Sequence, residues 1–271
     1  MVENYEITNA QVDRLGDQLR TGAIDGDTLR RLDIYRRSFG TAYEEVIGKI
    51  RGEVGLEPTG RPAKSTSSII AKLRRESIRL SQVQDISGAR LIVPDIKRQD
   101  EVVDKVKSLF EKTIVADRRV KPSHGYRAVH VIVWAGPKFV EIQIRTTFQH
   151  KWAETSEKLS DIVDSAIKYG GGDPKLVATL KQTSELVAAV EREELALREC
   201  DDKLRKFRDA IKSEIFPITP ESSKFRDEAD KMQLQVEALV LNVQTNLRSH
   251  KDRLEKIFDE IGAVIPQTKV Q

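Results

Sequence analysis

Only one cysteine, Cys200, occurs in 271 residues. With no second thiol, an intrachain disulfide framework and a cysteine-rich metal centre are both excluded. Cys200 sits in a charge-rich stretch of helical character, which makes it a bystander thiol rather than a nucleophile. Histidine is scarce too: His124, His130, His150 and His250 are all there is. No apolar run approaches the roughly 20 residues a membrane helix needs, and no apolar signal segment opens the chain. No membrane partner and a cytoplasmic location are therefore expected. Charge of one sign is also lacking, since 46 basic residues face 43 acidic ones. That balance argues against a general nucleic-acid binder, although local basic patches remain open.

Against this background one stretch stands out. In Val140-Glu141-Ile142-Gln143-Ile144-Arg145 apolar and polar residues alternate, the period of a strand with one buried face. The other face lines up a carboxylate, an amide and a guanidinium. That set suits a metal and phosphates, because a hard oxygen ligand lies beside a bidentate phosphate clamp. Taken alone, the strand fits a solvated sheet edge equally well. Upstream, Lys64 to Ile69 leads into the basic Lys72-Leu73-Arg74-Arg75 and then Gln84-Asp85-Ile86-Ser87-Gly88-Ala89-Arg90-Leu91-Ile92-Val93, a buried strand with Asp85 at its start. Two acids on strands that could be sheet neighbours, with several cations nearby, are what Mg²⁺-assisted chemistry on a nucleoside triphosphate requires.

Four motifs occur in order: Arg61/Lys64-x-x-x-Ser68-Ile69, Asp85-x-x-Gly88-x-Arg90, Gly125-Tyr126-Arg127-x-x-His130, and Glu141-Ile142-Gln143-Ile144-Arg145-Thr146. Together they resemble the synthetase domain of the RelA/SpoT family over about residues 55–160. The tail Gln149-His150-Lys151-Trp152-Ala153-Glu154 is similar to that domain's closing helix. The resemblance implies transfer of pyrophosphate from ATP to a guanosine nucleotide, GDP or GTP, giving the alarmone (p)ppGpp and releasing AMP. It implies Mg²⁺ held by Asp85 and Glu141, with Glu141 also taking the proton of the attacking ribose 3′-hydroxyl. Lys64 and Ser68 match the phosphate-binding lysine and serine, and Arg90 the arginine that stacks on adenine. Tyr126 matches the tyrosine that stacks on the acceptor base, and His130 could reach acceptor phosphates.

Gln143 and Arg145 orient Glu141 or bind phosphate, while Arg118, Arg119, Lys121 and Arg127 are expected to form a cationic loop over the triphosphate. One position departs from the pattern. The family usually has arginine two residues before the lysine, but Pro62 stands there and Arg61 lies three before. Nothing matches the histidines and Asp pair of the family's hydrolase domain, so a synthetase alone is expected. Toxin-type relatives that modify the tRNA 3′-CCA end or make adenosine alarmones keep the chemistry and change the acceptor. On that reading tRNA and an antitoxin or regulatory partner join the list. A catalytically silent partner-binding module is the third reading, and a homo-oligomer stays open.

The expected fold is α+β, a nucleotidyltransferase-like mixed sheet flanked by helices. An N-terminal helical segment (1–54) precedes the core (55–169), which ends in a helix from about 148 to 169 stopped by Gly170-Gly171-Gly172. A helix is expected to open at Ser67 or Ser68, and a strand to run over 85–93. Beyond the glycines, residues 173–265 read as a helical hairpin broken at Phe216-Pro217-Ile218-Thr219-Pro220. Phe225, Ala229, Met232, Val236, Leu239 and Val243 recur in steps of four and three, a short heptad seam interrupted by Asn246 and His250; a hairpin packing on the core is expected ahead of an intermolecular coiled coil.

Overall fold

A computed structural model describes residues 7–213 and 220–264, without the side chains at 207, 208 and 210–230. Three helices come first: α1 (Asn9–Thr21), α2 (Gly26–Arg37) and α3 (Gly40–Val54). Their caps explain their starts. Thr8 and Gln11 form a capping box on α1, and the Asp25 carboxylate accepts from the Thr28 amide at the head of α2. Then come β1 (Thr59–Arg61), α4 (Thr66–Arg75), β2 (Gly88–Val93), α5 (Ile96–Ser108), β3 (Thr113–Asp117), β4 (Val129–Ala135) and β5 (Lys138–Thr146). Helices α6 (Thr147–Ile162), α7 (Pro174–Ser213) and α8 (Pro220–Val264) follow.

The five strands form one mixed sheet in the order β1-β2-β5-β4-β3. Only β2 and β5 run parallel, and the other neighbours are antiparallel. The α+β class expected from sequence is the one found. One face of the sheet is the apolar core: Val140, Ile142 and Ile144 are fully buried with Leu91, Val129, Val131 and Val133 against Val46, Ile50 and Val106. The alternation read along β5 therefore corresponds to two real faces.

Two compact units emerge. The first comprises residues 1–93, 98–121 and 128–146, and the second 94–97, 122–127 and 147–271. In the first, Val12, Leu15, Leu19, Leu32 and Phe39 share one core with Ile69, Leu73, Leu80, Val83 and Ile86. The N-terminal helices thus belong with the sheet rather than forming a separate segment. In the second, Trp152, Leu159 and Ile167 pack with Leu180, Val187, Leu247, Leu254 and Phe258. Helix α6, assigned to the core from sequence, shares its buried face with the hairpin. Among the described residues no helix is long and apolar enough to cross a membrane.

Four local expectations are corrected. Residues 51–60, where Gly52, Gly55, Pro58 and Gly60 predict a loop, hold the end of α3 and the start of the short strand β1, where Gly60 lets the chain press on β2: a Cβ there would lie 2.6 Å from the Ala89 Cα. Helix α4 starts one or two residues earlier than read, because Ser65 is its N-cap and accepts from the Ser68 amide. Helix α6 ends at Ile162, since the Asp164 side chain accepts from the Ala166 amide and begins a new turn. The seam of α8 lies further on. Met232 and Leu239 are 64% exposed and Val243 45%, whereas Leu247, Leu254 and Phe258 are buried. Phe225, Ala229 and the break at 216–219 fall outside the described residues and side chains.

Candidate active site

The polar face of β5 is built by register. Arg90 on β2, Gln143 on β5 and His130 on β4 lie in one row across the sheet, and Gly88 pairs with Glu141 in the next. Gly88 suits this closeness, because a Cβ there would crowd the Glu141 carbonyl oxygen at 3.0 Å. Glu141 is buried, and both of its carboxylate oxygens are occupied. His130 Nδ1 lies 2.8 Å from one, and Gln143 Nε2 donates to the other at 2.8 Å. Arg145 donates in turn to the Gln143 amide oxygen at 2.8 Å, so Gln143 is fixed in one orientation. Burial pushes the Glu141 carboxyl up, but His130 and Gln143 outweigh it and hold the group below its usual value. Glu141 is thus an ionised carboxylate held in one orientation, able to accept a proton or a cation.

Asp85 lies in the turn just before β2, three residues ahead of the strand expected to begin with it. The buried Val83 and Ile86 anchor that turn to the N-terminal helices. Asp85 is ion-paired to Lys64 and, at 2.9 Å, to Lys72. Burial raises its carboxyl, and the two lysines more than compensate, so it too titrates below the ordinary range. Asp85 also raises the Glu141 carboxyl, as a neighbouring like charge does.

Lys72 is read from sequence only as part of a basic stretch; it lies on the last turn of α4, and Lys64 in the loop just before that helix. Arg36 was missed. Its guanidinium donates to the Lys64 carbonyl at 2.7 Å and fixes the loop from α2. Ser68 is half-buried and accepts from the capping Ser65 hydroxyl at 2.7 Å. Arg61 closes β1 opposite Gly88 and is exposed. Arg90 is half-buried on β2.

The cationic loop divides by role. Arg118 and Lys121 are exposed and available to a ligand. Arg119 is committed elsewhere, with ion pairs of 2.7 Å to both Asp100 and Asp117 and a bond to Gln99. A side chain tied at three points is a brace, not a mobile clamp. Tyr126 and Arg127 belong to the second unit, where Arg127 donates to Ser184 on α7 at 3.1 Å. Tyr126 is half-buried against the cluster around Trp152.

Among the described residues no three or more His, Cys, Asp and Glu side chains group to hold a metal ion. Two carboxylates are nevertheless a normal protein share for Mg²⁺, which takes its remaining ligands from substrate phosphates and water. The hard oxygens of Asp85 and Glu141 fit that ion by chemistry.

The family model described as a region found in RelA / SpoT proteins matches residues 60–160, the span from β1 to near the end of α6. A Mycobacterium tuberculosis protein, itself uncharacterized, is 31% identical over 208 residues, 72% of this chain and 75% of the relative. A probable chloroplastic GTP diphosphokinase of Oryza sativa subsp. japonica is 28% identical over 156 residues, 56% of this chain but 19% of the relative. Among solved structures, small alarmone synthetase 1 of Bacillus subtilis bound to its product pppGpp superposes with a TM-score of 0.51 at 25% identity, covering 63% of this chain and 97% of that one. Sheet, acid pair and comparisons converge, and the chain belongs to the RelA/SpoT family, of which it carries the synthetase-type domain.

Proposed function

We propose that this protein is an ATP-dependent pyrophosphokinase that makes (p)ppGpp from GDP or GTP. The observation that carries the reading is the buried, ionised Glu141, framed by His130 and Gln143 and close enough to Asp85 to feel its charge. In this reaction Glu141 takes the proton of the ribose 3′-hydroxyl. The freed oxygen attacks the β-phosphorus of ATP, the bond from that phosphorus to the α,β-bridging oxygen breaks, and AMP leaves. Lys64, Lys72 and Ser68 are the groups on hand for the triphosphate, with Arg90 for adenine. Asp85 and Glu141 would hold Mg²⁺, which when bound neutralises charge on the phosphate oxygens. The product named in the Bacillus subtilis structure supports guanine as the acceptor base.

The deciding experiment supplies ATP labelled in its β-phosphate with GDP, GTP, ATP or bulk tRNA. Label on a guanosine nucleotide, with equal AMP release, is the expected result. Label on tRNA alone would transfer the reading to a toxin-type relative, and ATP binding without AMP release from any acceptor would mark a silent module.

Tyr126 supplies a second check. Tyr126→Ala is expected to raise the acceptor KM by roughly tenfold or more, because base–aromatic stacking is worth about 1–3 kcal/mol. The ATP KM should change little. Tyr126→Phe keeps the π face and should stay within a factor of about two of wild type. Equal shifts in both KM values would remove Tyr126 from the acceptor pocket.

A further inference from the structure

Among the described residues of α7, two hydroxyls bond back to their own helix. Thr179 donates to the Lys175 carbonyl and Thr183 to the Thr179 carbonyl, the usual habit of such residues in a helix interior. Ser184 does not. Its hydroxyl, 2% exposed, donates to the Gly125 carbonyl and accepts from Arg127 Nε at 3.1 Å. One side chain thereby ties together the two residues that flank Tyr126.

The rest of the turn is equally constrained. Gly125 has φ +94°, and a Cβ on it would lie 2.7 Å from Trp152 Cζ2 and 3.4 Å from Ser184 Cβ. Trp152 is itself fixed by donating its indole N–H to the Leu180 carbonyl at 2.7 Å. The Tyr126 amide donates to the Ser123 carbonyl at 2.9 Å, closing the turn locally. Helix α6 therefore presses on the Gly125–Arg127 turn through Trp152, and helix α7 holds it through a buried hydroxyl with both its donor and an acceptor lone pair in use.

We infer that Ser184 is a positioning residue for the acceptor base: by fixing Gly125 and Arg127 it sets the orientation in which Tyr126 presents its ring. On this account α7 takes part in acceptor recognition without touching the acceptor. The inference rests on the proposed stacking role of Tyr126, and its test separates the two.

In the full chain with GDP as acceptor, Ser184→Ala is expected to raise the GDP KM roughly five- to tenfold, the range set by one or two lost hydrogen bonds, while kcat and the ATP KM stay within about twofold. Ser184→Cys fills the site with a slightly larger thiol that weakens both bonds, so it should raise the GDP KM as well and serves as the second variant where the alanine one folds poorly. Combined with Tyr126→Ala, Ser184→Ala should add little, because the ring it orients is gone. If Tyr126→Ala alone leaves the GDP KM unchanged, the stacking role fails first. If Tyr126→Ala raises it but both Ser184 variants do not, or if the two effects simply multiply, the positioning role is wrong.

Discussion

Glu141→Gln is expected to lower kcat by about a thousandfold or more with the fold intact. General-base catalysis contributes roughly 10²–10⁴ in rate, and the substitution also removes a negative charge from the acid pair. The change is nearly isosteric, so the frame largely survives, but not at no cost. Gln143 donates to one carboxylate oxygen, and an amide nitrogen placed there would face that donor. Turning Gln143 over would relieve the contact only by breaking its bond to Arg145. A stability loss of about 1–3 kcal/mol is the expected price of one mispaired buried group. Thermal unfolding and ATP binding measured on the same sample separate this from the rate effect. Asp85→Asn should give a loss of similar size by another route, leaving Lys64 and Lys72 opposite a neutral amide. Half the wild-type rate in either variant would sink the assignment.

Why the acid pair was legible and its surroundings were not is a matter of range. The two faces of β5 follow from period-two alternation, a local property, and Val140, Ile142 and Ile144 are buried as the pattern requires. The motif glycine at 88 was legible only as a residue type, because the strand it approaches, at Glu141, lies far along the chain. The partners of those residues come from elsewhere in the chain. Lys72 meets Asp85 across 13 residues, and Arg36 meets the Lys64 carbonyl across 28. No periodicity reports such pairs. Arg119 shows the opposite error: a run of basic residues reads as a phosphate loop until Asp100 and Asp117 are seen to bind one of them. The helix seam failed for a related reason. Steps of four and three mark an apolar stripe on α8, but which stretch of the stripe finds a partner is decided by α6 and α7, and Leu247 to Phe258 were the residues chosen.

A chain ending at Tyr169 is expected to lose acceptor-dependent turnover altogether. Truncation strips Leu180, Val187, Leu247, Leu254 and Phe258 from the cluster that buries Trp152, Leu159 and Ile167. At about 1.5–3 kcal/mol for each buried side chain, the loss is on the order of 10 kcal/mol, comparable to the whole stability of a typical domain, about 5–15 kcal/mol. Polar groups are orphaned as well. The Trp152 indole loses the Leu180 carbonyl, Gln149 loses Glu191, and Lys151 loses Glu255. Helix α6 should then exchange its amide protons far faster than in the full chain, because local protection follows the packing that has been removed. With α6 unmoored and Ser184 absent, nothing from α7 holds Gly125 or Arg127, so the acceptor turn loses its orientation even where the residues remain. The measurement is AMP release from ATP and GDP beside hydrogen exchange across residues 147–162. A truncated chain that keeps slow exchange in α6 and a GDP KM near that of the full chain would show that the hairpin serves neither stability nor recognition.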